Sequence, residues 1–386
     1  MKLGDVCDSV SVTFDKTKQQ VVLINTSDVL EGEVTNHILV DNKGLKGQFK
    51  KTFQKNDILY SEIRPKNRRF AYIDFDSDNY VASTKLMVIR ANNRVLPQYL
   101  YQILKSEKVI NQLQSLAESR SGTFPQITFS ELAQIDVYIP ELSEQKEIAD
   151  FLKLFDDKIE NNKKINHHLE QMAMAIFKSW FIDFEPFGGK MPSDWRIANL
   201  TDIAEYLNGL AMQKYRPLDD EEGLPVLKIK ELRQGTFDSS SDLCSAKINS
   251  QYIVKDGDVI FSWSGSLLVD FWTGGTGGLN QHLFKVSSQN YDKWFYYSWT
   301  KYHLEEFAAI AADKATTMGH ITRSSLKKAE VLIPNNQDYK FLALLLAPIY
   351  DQIIYNRVEN HRLMEARNTL LPKLLSGEIP ITKTTK

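Results

Sequence analysis

The sequence predicts an α+β protein made as a tandem repeat: two mixed domains separated by two long helices that form an antiparallel coiled coil. Three observations carry this. Ser121–Pro140 matches Ala315–Pro334 at a constant offset of 194, with identities at Thr123/Thr317, Ile127/Ile321, Thr128/Thr322, Ser130/Ser324, Leu132/Leu326, Val137/Val331 and Pro140/Pro334. Such self-similarity on one register marks a duplicated unit. Each copy opens with short strand-like runs, and each closes on a long stretch of heptad-spaced apolar residues.

The first domain is placed at residues 1–140, with strand-like segments at Val21–Ile24, Asp57–Tyr60, Leu86–Ile89 and Ile135–Ile139 and a helix near Leu96–Glu118. A spacer helix follows over 141–186, up to the break at Pro186-Phe187-Gly188-Gly189. The second domain, 187–334, repeats the order with Val226–Ile229, Asp258–Phe261, Leu283–Val286 and Ala329–Ile333 and a helix near Asp292–Ala312. Residues 335–386 form the second spacer helix. Upstream of the constant register, Asn56–Ser61 faces Gly257–Ser262 and Leu3 faces Leu200, as insertions in loops would cause.

Residues alternating by four and three run Ile148, Leu152, Phe155, Ile159, Asn162, Asn166, Leu169, Ala173, Ile176, Trp180. The second copy reads Leu342, Leu346, Ile349, Ile353, Asn356, Asn360, Leu363, Arg367, Leu370, Leu374. Spacing of 3.5 residues means a supercoil, and Asn in the seam fixes register and orientation. Antiparallel helices bring Asn162 and Asn166 opposite Asn356 and Asn360. Ser143 serves as N-cap of the first helix, and Ser376-Gly377 closes the second. Ile148 to Trp180 is a rod of roughly 48 Å. Apolar residues also lie off the seam: Phe151, Leu154, Met174, Phe177 and Phe181 in the first helix, Leu344 and Leu345 in the second. They face either the protein's own domains or a docked polypeptide, and the second reading is preferred.

Composition narrows the function. With 386 residues, 42% hydrophobic and 25% charged, the chain is globular and long enough for two or three domains, which excludes disorder. The balance of 47 basic against 49 acidic residues leaves no bulk excess for nucleic acid, so any such role rests on local patches. Cys7 and Cys244 stand alone, without the spacing of a disulfide framework or metal knuckle, as in a reducing cytoplasm. Met1–Val10 lacks the apolar core of a signal peptide and no run is long enough to span a bilayer, so a cytoplasmic protein is expected.

Between Lys43 and Arg69 stand nine basic residues (Lys43, Lys46, Lys50, Lys51, Lys55, Arg64, Lys66, Arg68, Arg69) against Asp57 and Glu62. Lysines alone mean a solvated face. The Arg64-Pro65-Lys66-Asn67-Arg68-Arg69 turn after a strand adds arginine and asparagine, which reach phosphates and base edges together. In the second domain Lys214, Arg216, Lys228, Lys230, Arg233, Lys314, His320 and Arg323 are sparser. Two equivalent polar loops, Ser121–Gln126 after Arg120 and Ala315–His320 after Lys314, suit phosphate contact or are plain turns before a strand.

Catalytic signatures are missing. Gly274-Gly275-Thr276-Gly277-Gly278 runs into Leu279-Asn280 where a phosphate-binding loop needs Lys-Ser/Thr, and reads as a hairpin turn. His167-His168 has no carboxylate or cysteine at ligand spacing, and Ser264-Gly265-Ser266 lacks the frame of a nucleophile elbow.

Taken together, Leu142-Ser-Glu-Gln-Lys-Glu-Ile-Ala149, Phe155-Asp-Asp-Lys-Ile159, Leu370-Leu-Pro-Lys-Leu-Leu-Ser-Gly-Glu378, Pro225-Val-Leu-Lys-Ile-Lys-Glu-Leu232, Gly257-Asp-Val-Ile-Phe-Ser-Trp-Ser-Gly-Ser266 and Leu279-Asn-Gln-His-Leu-Phe-Lys285 are specific. Over nearly its whole length the chain resembles the specificity subunit of type I restriction-modification enzymes. Met191-Pro-Ser-Asp-Trp195 is a typical domain opening in that family; the first domain, beginning at Leu3, lacks it.

The resemblance implies a non-catalytic subunit whose two target-recognition domains each read half of a bipartite, asymmetric double-stranded DNA site. It further implies that the helices set the gap and dock two modification subunits, and that restriction subunits join the complex. S-adenosylmethionine, ATP and Mg2+ then belong to partners, with none in this chain; the assembled complex is an adenine-N6 DNA methyltransferase and ATP-dependent endonuclease. On this reading DNA contacts are expected at Lys43, Lys46, Lys50, Lys51, Arg64, Lys66, Arg68 and Arg69, and at Arg120, Ser121 and Thr123. In the second domain they are expected at Lys214, Tyr215, Arg216, Lys228, Lys230, Ser264 and Ser266, and at Lys314, Thr316, Thr317 and His320. A self-contained nuclease or methyltransferase would need a catalytic motif, and a pure coiled-coil scaffold leaves two diverged domains unexplained.

Overall fold

The computed structural model describes residues 1–15, 17–43, 47–119, 125–313 and 321–381. The chain divides into two compact units, Met1–Asp157 with Met364–Lys386, and Lys158–Leu363. Neither unit coincides with one copy of the repeat. Each combines a mixed domain with part of both long helices.

In the first unit, Cys7–Val10, Leu86–Ala91, Ile58–Ser61 and Phe70–Tyr72 lie side by side in that order, all antiparallel. A second sheet orders Leu39–Asp41, Gln20–Ile24, Tyr80–Ser83 and Phe49–Lys51, its central pair parallel. The helix expected over Leu96–Glu118 is two, Pro97–Leu104 and Glu107–Glu118, because the Ser106 hydroxyl accepts the Val109 amide and starts a new helix. The strand expected at Ile135–Ile139 is a single bridge between Lys2 and Asp136, flanked by bonds from Leu3 N to Ile135 O and from Val137 N to Met1 O, both at 2.9 Å. Leu3, Tyr60, Met87, Tyr99, Leu100 and Leu113 form the core with Ile148, Ala149 and Leu152 of one long helix and Leu371 and Leu374 of the other. Full burial of each such leucine contributes about 1.5–3 kcal/mol.

The second unit repeats both sheets strand for strand. Glu205–Asn208, Leu283–Ser287, Val259–Ser262 and Leu268–Phe271 are antiparallel in that order. Leu243–Cys244, Leu224–Leu227, Gly277–Leu279 and Ile253–Val254 again carry a parallel central pair. The glycine run is therefore no hairpin turn. Its second half is a central strand, and a Cβ at Gly277 or Gly278 would collide with the Phe237 ring or the Cys244 sulfur, which explains glycine there. Here the equivalent of Ile135–Ile139 is a true strand, Glu330–Ile333, paired with Arg196–Asn199. All six tryptophans belong to this unit.

The long helices span Leu142–Phe181 and Asn336–Ser376. Ser143 falls inside the first turn and is not the cap, whereas Gly377, at φ +74°, ends the second helix as expected. Within the second unit the seam asparagines meet in antiparallel register. Asn162 Nδ2 donates to Asn360 Oδ1 at 2.9 Å and to Glu359 Oε2 at 2.6 Å, and Asn356 Nδ2 donates to Asn166 Oδ1 at 2.8 Å. Asn166 and Asn360 also donate to the main-chain oxygens of Ile353 and Ile159, at 3.2 and 3.3 Å. Replacing Asn360 with Leu removes the acceptor of Asn162 Nδ2 and the extra donor to the Ile159 oxygen. A loss of about 1–2 kcal/mol is expected, read as a shifted urea midpoint in tryptophan fluorescence; an unchanged midpoint would contradict it.

Charged groups pin each domain to its helices. In the first unit Asp156 accepts Lys105 at 2.6 Å and Arg367 at 2.7 Å. Burial tends to raise the Asp156 carboxyl pKa, but the two cations outweigh it and hold the group below the usual range. In the second unit Arg357 bridges Glu170 at 2.8 Å and Asp270 at 2.7 Å.

Candidate DNA-recognition surfaces

In the first unit the expected basic turn joins Ile58–Ser61 to Phe70–Tyr72 through one 3-10 turn, Pro65–Asn67. Its ends, Arg64 (φ +45°) and Arg68 (φ +52°), are both left-handed, a strained state for arginine that surrounding ties must hold. Those ties are visible: the Arg64 amide donates to Pro125 O at 3.1 Å, and the Lys66 amide to the buried Gln114 Oε1 at 3.1 Å. Arg68 pairs with Glu107 and, at 3.8 Å, with Glu31. Arg69 donates to the main-chain oxygens of Ser27 at 3.0 Å and Val29 at 3.3 Å.

Seven of the nine cations separate into two kinds. Arg64, Lys66, Lys43 and Lys50 are exposed and have no ion pair among the described residues. Arg68, Arg69 and Lys51 are instead tied within the domain. Lys51 Nζ donates to Thr84 O at 3.1 Å and Leu86 O at 2.8 Å, and burial lowers its pKa. Beside the turn stand Glu62 and Lys85, 3.6 Å apart, and Gln126, whose Oε1 accepts Lys85 at 3.0 Å; of these, Lys85 was not among the candidate contacts.

In the second unit Lys228 is paired with Asp242, and Lys230 with Asp238 at 2.9 Å, so these lysines also hold their own loop. Lys214, Tyr215 and Arg216 are exposed. Ser266 is exposed, whereas Ser264 is buried with its hydroxyl 3.1 Å from His282 Nδ1. Trp263 Nε1 donates to Asn208 Oδ1 at 3.0 Å, and the Trp263 and His282 rings lie 6.1 Å apart. Leu210 bridges to Asn280, bringing the Asn208–Arg216 segment against Asn280–His282. Lys46, Arg120, Ser121, Thr123, Lys314, Thr316, Thr317 and His320 lie outside the described residues.

Of the expected docking residues, Phe177 and Phe181 are corrected. They are buried against Trp299 and Trp195 in the second unit's own core, at 5.0 and 5.4 Å between rings. Phe151 is half-buried against the first core. Leu154, Met174, Leu344 and Leu345 are exposed, with Leu344 at 77% the most open.

Two copies of one topology, each with a polar face at the end of the same central strands, are matched by two copies of one family. Residues 1–171 and again 192–362 match the type I restriction modification DNA specificity domain. The chain belongs to that family. This specificity subunit is 30% identical to the type I restriction enzyme HindI specificity subunit of Haemophilus influenzae, covering 98% of each chain. It is 27% identical to the MjaIX specificity subunit of Methanocaldococcus jannaschii, over 89% of this chain and 82% of that one. Its fold matches the crystal structure of a type I restriction-modification S subunit from M. genitalium, with a TM-score of 0.56 at 15% identity over 97% and 95% of the two chains. Among the described residues, no helix is long and apolar enough to cross a membrane.

Proposed function

We propose that this specificity subunit is the non-catalytic DNA reader of its complex, recognising a bipartite, asymmetric double-stranded site with one domain per half-site. The recognition domains are residues 1–140 and 187–334, and the helical segments between and after them set the spacing. One observation carries the reading: the two domains share both four-stranded sheets, strand for strand and in the same order, yet present different side chains at equivalent ends. Duplicated scaffolds with unlike faces suit a site whose halves differ. Leu154 in the first unit, and Met174, Leu344 and Leu345 in the second, offer exposed apolar side chains for two modification subunits, with restriction subunits joining them. S-adenosylmethionine, ATP and Mg2+ are then partner-borne, and adenine methylation and ATP-dependent cleavage belong to the assembly.

Co-expression with the modification subunit, followed by single-molecule mapping of methylated adenines, tests this reading. A motif in two parts with an unspecified gap is the expected result; a stable complex that leaves no motif would overturn it. Arg64 and Lys66 are expected to act on phosphates. Changing both to Ala should weaken binding about equally for all sequences and flatten the slope of log affinity against log salt by about 2. Equal slopes for both proteins would remove these residues from the DNA interface.

A further inference from the structure

Internal duplication supplies a control within one molecule: where the two domains hold the main chain in the same way but differ in side chain, the difference is free to encode what each domain reads. The end of the central strand pair is such a place. Ser61 faces Leu86, and Ser262 faces Leu283, in the same antiparallel register. The Ser61 hydroxyl donates to Ile63 O at 3.3 Å, and the Ser262 hydroxyl to Ser264 O at 3.3 Å. Ile127 N donates to Glu62 O at 2.8 Å, and the repeat-equivalent Ile321 N to Trp263 O at 2.9 Å. Glu62 is therefore the counterpart of Trp263, and Lys85, just before Leu86, the counterpart of His282, just before Leu283.

The side chains at these matched points share nothing. One domain has a carboxylate and an ammonium 3.6 Å apart; the other has an indole and an imidazole whose ring centres are 6.1 Å apart. Both pairs sit beside the segments already assigned to DNA. Ile63 bridges to Gln126 next to the Arg64 turn, and Trp263 is tied to Asn208 at the root of the Lys214–Arg216 loop. We infer that Glu62 with Lys85, and Trp263 with His282, are equivalent specificity-determining pairs, one for each half-site; this rests on the DNA-reading function proposed above.

The chemistry of the pairs differs accordingly. A carboxylate accepts from the cytosine amino group and a lysine donates to guanine O6 and N7, so the first pair suits a G·C base pair. In the second domain the Ser264 hydroxyl lies 3.1 Å from His282 Nδ1 and the Gln281 side-chain amide 3.4 Å from His282 Nε2; a base edge would exchange with that long Nε2 contact, and the Trp263 face adds apolar contact of the kind that favours a thymine methyl.

Lys85 and His282 are both exposed, so Lys85→Met and His282→Gln test the pairs without opening a core. The full complex with its modification subunits would be equilibrated with duplexes randomised through both half-sites, and the bound pool sequenced. Each variant is expected to lose about tenfold in preference at one base-pair position, in opposite half-sites, with the other half-site and the thermal midpoint unchanged. A uniform loss across sequences, or no change, would overturn the pairs while leaving DNA reading intact. A wild-type complex that selects nothing from the pool would sink both.

Discussion

Replacing Arg357 with Met is expected to lower the stability of the Lys158–Leu363 unit by about 3 kcal/mol. The guanidinium comes from the second long helix, Glu170 from the first and Asp270 from the Leu268–Phe271 strand, so one side chain ties three elements. All three charged groups are mostly buried, and the two carboxylates hold the arginine firmly protonated against the opposing effect of burial. Removing the cation leaves two carboxylates with no counter-charge in a poorly solvated place, the costly way to break an ion pair. Because every tryptophan lies in this unit, urea unfolding followed by tryptophan fluorescence reports on it selectively. The triple change Arg357→Met, Glu170→Gln, Asp270→Asn should recover much of the loss, since no net charge remains unpaired. A triple variant as unstable as the single one would mean that packing of the arginine stem, not charge, is what matters.

Gly209→Ala is expected to abolish selectivity for one half-site while leaving the other near normal. Gly209 follows the Glu205–Asn208 strand, and a Cβ there would collide with the main-chain oxygens of Asn280 and Leu279. Main-chain atoms have no rotamer to escape into, so the segment must move away. That breaks the bonds from Leu210 N to Leu279 O at 2.9 Å and from Gln281 N to Leu210 O at 2.8 Å. Overpacking of this kind costs about 1–3 kcal/mol, but the functional loss should be larger, because Asn208, Tyr215 and Arg216 shift with the segment. The measure is binding to duplexes altered in one half-site at a time, with Gly47→Ala, where a Cβ meets nothing within 4 Å, as the control. Equal damage to both half-sites, or to neither, would be inconsistent with this placement.

The repeat, the seam and its Asn pairs were legible because each is a periodic pattern: a methylene in the wrong place at Leu152 or Leu346 is felt throughout a packed core, so spacing survives in the residues. The basic turn was legible as a turn, from Pro65 and the charges around it. What Arg68, Arg69, Lys51, Lys228 and Lys230 do was not, because a cation that supports a loop and one that awaits a phosphate look alike until their partners are seen. Phe177 and Phe181 misled for a related reason. A helix that packs on a partner helix and on its own domain is apolar around more than one face, and counting cannot say which face meets solvent. Trp263 and His282 lie in two of the motifs that carry the family resemblance, Gly257–Ser266 and Leu279–Lys285, outside any run of lysine and arginine. The usable signal was position, directly after Ser262 and before Leu283 in strands that repeat.

The first unit is assembled from two stretches of chain separated by the whole of the second. On a ribosome this imposes an order. Ile148, Ala149 and Leu152 emerge early, but Leu371 and Leu374, which complete their core, follow more than 200 residues later. At about 5–20 residues per second the wait is roughly 10–40 s, far longer than a helix takes to form. The second unit, continuous in sequence, can close as it is made, while its elder neighbour stays open with an apolar strip uncovered. A nascent chain of this design is a natural client for chaperones, and a chain whose synthesis stalled with residues up to 363 released would hold one finished unit and one unfinished one.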